Sequence, residues 1–200
     1  AALAVRGRAA SADADLQALL AALAQAADPA GRLAQVPKLS AFATPGAAGA
    51  LANLVKHDPD LRVREAAATA LGETSAPNAL DLLLERARAG GSRRVRLAVG
   101  KALARRPGSG PEVLAVIESA KAPEADRVLM LHVLESWRDD ASRALLVRVA
   151  DSDAPTAVRE AAMRVLARRK DAPEQCRLAM IELLSRAKSL EATLVALDAF

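Results

Sequence analysis

The sequence predicts an all-α protein, an array of about six stacked helical hairpins, and three observations carry that expectation. The first is composition. Of the 200 residues 52% are hydrophobic, yet many of these are alanines, and there are only two Phe, one Trp and no Tyr. Bulky aromatics of the kind that fill a wide globular core are therefore scarce. Ala, Leu, Arg and Glu are strong helix formers, and no sustained Val/Ile/Thr alternation argues for strands.

The second observation is a buried-stripe pattern, and the third is its recurrence. "LRVREAAATALGE" at 61–73 returns as "RVRLAVGKALARR" at 94–106 and as "AVREAAMRVLARR" at 157–169. The apolar sets coincide: Val63, Ala66, Ala67, Ala70, Leu71; Val95, Ala98, Val99, Ala102, Leu103; Val158, Ala161, Ala162, Val165, Leu166. Each follows i, i+3, i+4, i+7, i+8, one face of an amphipathic helix. In a fourth copy at 125–137, Leu129, Met130, Val133 and Leu134 keep the places while Asp126 replaces the valine. Arg64, Arg96, Arg127 and Arg159 are spaced by 32, 31 and 32 residues. Such a period marks a solenoid, whose units bury their apolar faces only against one another.

In chain order, 11–26 reads as a helix of the second type, capped by Ser11 and carrying Leu16, Leu19, Leu20 and Leu23. The stretch from Asp28-Pro29 to Phe42 stands where a first-type helix belongs, and Pro37 predicts a kinked or two-part helix there. Second-type helices are expected near 45–57, 76–89, 110–121, 140–150 and 173–187, alternating with the four first-type copies. Asp58-Pro59 is expected to cap the helix that follows, Gly90-Gly91 to end one, and Gly108-Ser-Gly-Pro111 to form a longer turn. The expected organisation is one array: irregular units over 1–57, regular units at 58–90, 91–121, 122–152 and 153–187, and a final helix at 188–200 cut short. With no initiator Met, and an apolar pattern still running at "LEATLVALDAF", the sequence reads as a piece of a longer protein.

Charge and cysteine usage exclude some classes. The formal net charge of +4 is modest, and acids and bases are interspersed without a block of like sign. One cysteine excludes an internal disulfide framework and does not decide the compartment, with the cytoplasm favoured. No apolar run approaches the roughly 18 residues needed to cross a membrane.

The segment "DPDLRVREAAATALGE" at 58–73 resembles HEAT repeats, particularly the short bacterial HEAT-like type first noted in phycobilisome lyases. The resemblance is strong over roughly 58–187 and weak over 1–57. It implies a right-handed α-α superhelix whose second helices line a concave face, and a protein-binding scaffold. It also implies a ladder of aspartates and arginines between units. Asp58, Asp60 and Arg64 match that pattern, whereas Ser92 and Pro123 replace the acid in later units, so the ladder is expected to be incomplete. Fold alone does not carry function over.

The regular arginines Arg64, Arg96, Arg127 and Arg159 could track phosphates, but as part of the repeat signature they are read as structural, pairing with an acid or carbonyl of a neighbouring unit. The second-type helices mix cations with acids, and aromatics for base stacking are nearly absent. Nucleic-acid binding through the basic helix ends Arg105-Arg106 and Arg168-Arg169-Lys170 is the alternative, and helix capping the simpler reading of those runs. A spacer or assembly domain of a multidomain bacterial protein is a further one.

His57 and His132 are expected on different parts of the array, and no paired-cysteine, HExxH or haem-attachment spacing occurs. Asp151-Ser-Asp153 reads as turn chemistry, Cys176 as a packed thiol, and Trp137 as a partial cover over the apolar seam. Gly108-Ser-Gly110 without a P-loop lysine is weak evidence for an anion site. The expectation is thus a non-enzymatic scaffold without metal or cofactor. It would receive a protein or peptide through Asp81, Glu85, Arg88, Arg143, Arg148, Arg177 and Glu182 on the second-type helices.

Overall fold

The computed structural model describes residues 2–169, and all regular structure in them is helical. The expected helices at 173–187 and 188–200, with Cys176, Arg177 and Glu182, lie outside the described residues. The chain divides into two compact units, one ending at Arg106 and the other beginning at Pro107.

The first unit contains α1 (Ala2–Gln25), α2 (Pro29–Ser40), α3 (Pro45–His57), α4 (Leu61–Glu73), α5 (Ala79–Arg88) and α6 (Arg93–Arg105). First-type helices stack on first-type helices: α4 packs on α2 before it and on α6 after it, while the second-type α3 packs on α5. This is solenoid packing, in which the stripe of one hairpin is covered by the next. The second unit contains α7 (Ser109–Glu118), α8 (Glu124–Val133), a 3-10 turn (Leu134–Ser136), α9 (Asp140–Ala150) and α10 (Thr156–Arg168). Here α10 packs on α8 and α9, and α7 packs on α8.

The stripe is where periodicity places it. Val63, Ala67, Ala70 and Leu71 are buried, as are their counterparts Val95, Val99, Ala102 and Leu103, and Val158, Ala162, Val165 and Leu166. Ala66, Ala98 and Leu129 are half-buried, and so is Asp126 in the place of the valines. One further register position, occupied by Ala68, Gly100, Leu131 and Met163, is buried in all four copies. Trp137 is 8% exposed and closes its part of the core.

Five N-cap side chains accept a backbone N–H inside the helix they open: Asp28 from Gly31, Thr44 from Ala47, Asp60 from Arg62, Ser92 from Val95 and Asp139 from Ser142. Each satisfies one of the donors that the first helical turn leaves without a partner. The first-type helices are the constant module. Their N-caps at 60, 92, 123 and 155 face C-caps at 74, 106, 137 and 169, so helix length is fixed and the turns absorb the uneven period. The same register extends back to Asp28, N-cap of α2.

Several local expectations are corrected. Ser11 does not cap a helix, because α1 begins at Ala2 and the good helix formers before Ser11 continue it. Pro37 does not divide α2, which runs unbroken from Pro29 to Ser40. It sits in the last turn, so the helix forgoes one hydrogen bond near its end without being divided. Asp58 does not cap α4 and Pro59 stays outside it, since Asp60 takes the N-cap. The helix expected at 76–89 starts at Ala79, the one at 110–121 spans Ser109–Glu118, and the first-type helix of the fourth copy tightens into a 3-10 turn after Val133. Gly90 and Gly91 follow α5 with φ of 69° and 113°, a left-handed backbone that only glycine takes up easily.

No helix among the described residues is long and apolar enough to cross a membrane.

Candidate functional site

The arginine series points inward to the backbone. Arg64 donates from Nε to the Asp58 carbonyl at 2.5 Å, Arg96 from Nη1 to the Gly91 carbonyl at 2.5 Å, and Arg127 from Nε to the Ile117 carbonyl at 2.9 Å. Arg64 and Arg127 therefore staple the start of a first-type helix to the end of the preceding arm, and Arg96 staples it to the turn that leads into its own helix. The carbonyls at a helix C-terminus or turn lack intrahelical donors, so a guanidinium there satisfies a group that would otherwise be desolvated alone. The Nε of Arg159 has no hydrogen-bond partner among the described residues.

A fifth member of the series went unnoticed in the sequence. Arg32 stands 32 residues before Arg64 and donates in the same way, from Nη1 to the Ala26 and Ala27 carbonyls at 3.2 and 2.9 Å. Its Nε and Nη2 also reach both carboxylate oxygens of Asp58, at 2.7 and 3.2 Å. That carboxylate is 2% exposed and accepts the N–H of Asp60 as well, so one buried acid ties α2 to the turn that launches α4. The signal was available as the same spacing run one period upstream.

Other contacts repeat at similar separations. Arg94 on α6 grips Glu65 on α4 in a bidentate pair, both distances 2.7 Å. Arg106, the C-cap of α6, reaches back to the carbonyls of Thr74 at 2.7 Å and Ala76 at 2.9 Å. In the second unit Arg169 donates to the Ser142 hydroxyl at 3.0 Å, and Ser142 in turn donates its N–H to the Asp139 carboxylate at 2.7 Å. Burial pushes the Asp139 carboxyl up, but the bonds from Ser142 outweigh it, helped by the charge of Arg169, and hold it below the usual range. The basic helix ends thus finish other helices: Arg168 lies 3.9 Å from the buried Glu135, and Arg105 lies 4.0 Å from Glu73.

The expected partner-binding residues divide by unit. On α5, Asp81, Glu85 and Arg88 are exposed along one stripe, while Leu83, Leu84, Arg86 and Ala87 face the core. Glu85 pairs with the neighbouring Arg86. On α9, Arg143 is half-buried against Asp140, and Arg148 is exposed and pairs with Glu118 of α7. The structure brings the first three together on one helix face. It holds the two arginines of α9 in separate ion pairs.

His57 ends α3 in the first unit and His132 lies in α8 in the second. Among the described residues no group of three or more His, Cys, Asp or Glu side chains is arranged to hold a metal ion.

Alternating helices that stack by type, with a constant first arm and a guanidinium staple from Arg32, Arg64, Arg96 and Arg127, define an α-solenoid. A family model described as HEAT repeats matches residues 16–104, reaching well into the N-terminal part where the sequence resemblance is weak. Over those residues the chain is similar to HEAT repeats. No curated protein matches it. Among solved structures, one described as the crystal structure of an engineered protein is similar at 18% identity, covering 92% of this chain and 94% of that one, with a TM-score of 0.36. HEAT repeats generally serve as protein-interaction scaffolds.

Proposed function

We propose that this chain is a non-catalytic scaffold that receives a protein or peptide on the outward face of its second-type helices. The observation that supports the reading is the stripe of α5. Asp81, Glu85 and Arg88 are all exposed, at a spacing that keeps them on one side of the helix, and none is needed to complete the apolar core. The first-type helices offer less: Arg64, Arg96 and Arg127 each give a donor to a backbone carbonyl. Arg143 and Arg148 extend the proposed surface on α9, and Arg177 and Glu182, outside the described residues, are proposed with them from the sequence pattern.

Photo-crosslinking side chains placed singly at 81, 85 and 88 test this, with position 101 on α6 as the reference. The first three are expected to trap the same protein from the source cell, and position 101 none. Trapping from 101 alone, or from no position, overturns the reading.

A further inference from the structure

In the first unit the C-terminal turns of α3 and α5 meet the start of α6 around a cleft of about 170 Å³. Lys56, Arg64 and Arg86 line it, and no carboxylate does. That is unusual in a chain whose acids and bases are otherwise interspersed. Arg86 is 8% exposed, and its one partner among the described residues is Glu85, itself 61% exposed and reached by a single guanidinium nitrogen. The rest of its guanidinium keeps access to solvent where Arg86 lines the cleft, so an incoming acceptor can reach it. Arg64 bonds only through Nε, to the Asp58 carbonyl, and Lys56 makes no ion pair among the described residues.

The floor adds partial positive charge of its own. Gly91 and Ser92 lead into the 13-residue α6, and the Ser92 side chain occupies only the N–H of Val95. The N-terminal end of the helix therefore faces the cleft with its favourable pole for an anion. Val55 and Val95 supply an apolar wall, which fits the methylene stem of a glutamate and has no use for a bare inorganic ion.

We propose that this cleft binds an oxyanion borne by the partner, namely a carboxylate from an acidic stretch of polypeptide. The proposal rests on the protein-binding reading above and deepens it.

Fluorescence anisotropy of the intact chain with a labelled poly-glutamate peptide tests it, with a poly-glutamine peptide of equal length and inorganic phosphate as the other arms. Poly-glutamate is expected to bind and poly-glutamine not. Lys56→Gln, a change at an exposed position, and Arg86→Gln, checked for folding by circular dichroism, are each expected to weaken binding roughly tenfold, while Lys101→Gln leaves it unchanged. Equal binding of the two peptides, or an affinity that Lys56→Gln does not alter, overturns the proposal, as does phosphate binding without peptide binding. Crosslinking from positions 81, 85 and 88 is independent of Lys56, so the scaffold reading can survive the loss of this one.

Discussion

The two units solve the same packing problem with different materials. At the fully buried register position the first unit carries Ala68 and Gly100, and the second carries Leu131 and Met163. At the end of α4, a Cβ added to Gly72 would lie 2.7 Å from the Ala102 Cβ and 2.9 Å from its Cα, so α4 and α6 touch nearly backbone to backbone. The place that corresponds to Gly72 in the second unit is Glu135, buried and facing Arg168, in the stretch where the helix tightens into a 3-10 turn. Caps differ as well. The first-type helices of the first unit open on Asp28, Asp60 and Ser92, each with a side-chain hydrogen bond, whereas α8 and α10 open on Pro123 and Pro155 with none. One repeat rhythm thus tolerates both close small-residue contact with strong caps and bulkier filling with weak ones.

The largest effect is expected at Asp58. Asp58→Ala strands Arg32 and the Asp60 N–H in a mostly buried place and should cost about 3 kcal/mol in urea denaturation. The register equivalents in the second unit are Lys121 and Asp153, both exposed, and Lys121→Ala should change stability by less than about 0.5 kcal/mol. Equal effects would erase the contrast between units.

Gly72→Ala comes next. Alanine normally gains about 1 kcal/mol over glycine inside a helix, but here the new methyl meets backbone that cannot swing aside, and a net loss of about 1–3 kcal/mol is expected. Hydrogen exchange should show lost protection in α4 and α6 and none in α8 and α10. Adding Ala102→Gly should recover part of the loss, and a stabilised single variant would show that the helices have room to separate.

Acid should act on both units through their capping carboxylates. The Asp60 carboxyl is held low by hydrogen bonds from the Arg62 side chain and N–H, Asp28 by the Gly31 N–H, and Asp139 by the Ser142 bonds that outweigh its burial. A carboxyl depressed in the folded state contributes stability that is fully present above its unfolded value of about 3.9 and is lost as pH falls through the lower folded value. Melting temperature should therefore be flat near neutrality and fall below about pH 4. Asp60→Asn, which still caps, should make that fall shallower.

The smallest effect is a gain. Pro155→Ser supplies the missing cap of α10 and should raise stability by about 0.5–1 kcal/mol, whereas Asp60→Ala, which removes a cap, should lower it.

Much of this was legible because helix periodicity and a near-constant repeat reinforce each other. Val63, Leu71 and their counterparts were found from spacing alone, since a stripe left exposed would cost more than any local preference could return. The buried position of Ala68 and Met163 was not, because it lies off the strict stripe. Asp58 misled for a related reason. Next to a proline it looks like a cap, and nothing local announces that Arg32, 26 residues earlier, holds its carboxylate. Arg32 itself was hidden by the altered wording around it, although its distance from Arg64 is that of the other staples. The exposed stripe of α5 followed from the helix's polar face, while the cleft beside it needs four separate helices to converge and has no signature in any one of them.

Arg106 completes a turn that was written about thirty residues before it, by closing on the carbonyls of Thr74 and Ala76. During synthesis the α4–α5 corner must wait, its oxygens facing water, until α6 has left the ribosome and delivered that guanidinium. Folding of this chain then trails translation by one repeat, and a ribosome stalled before residue 106 would hold a nascent corner that proteases can still open.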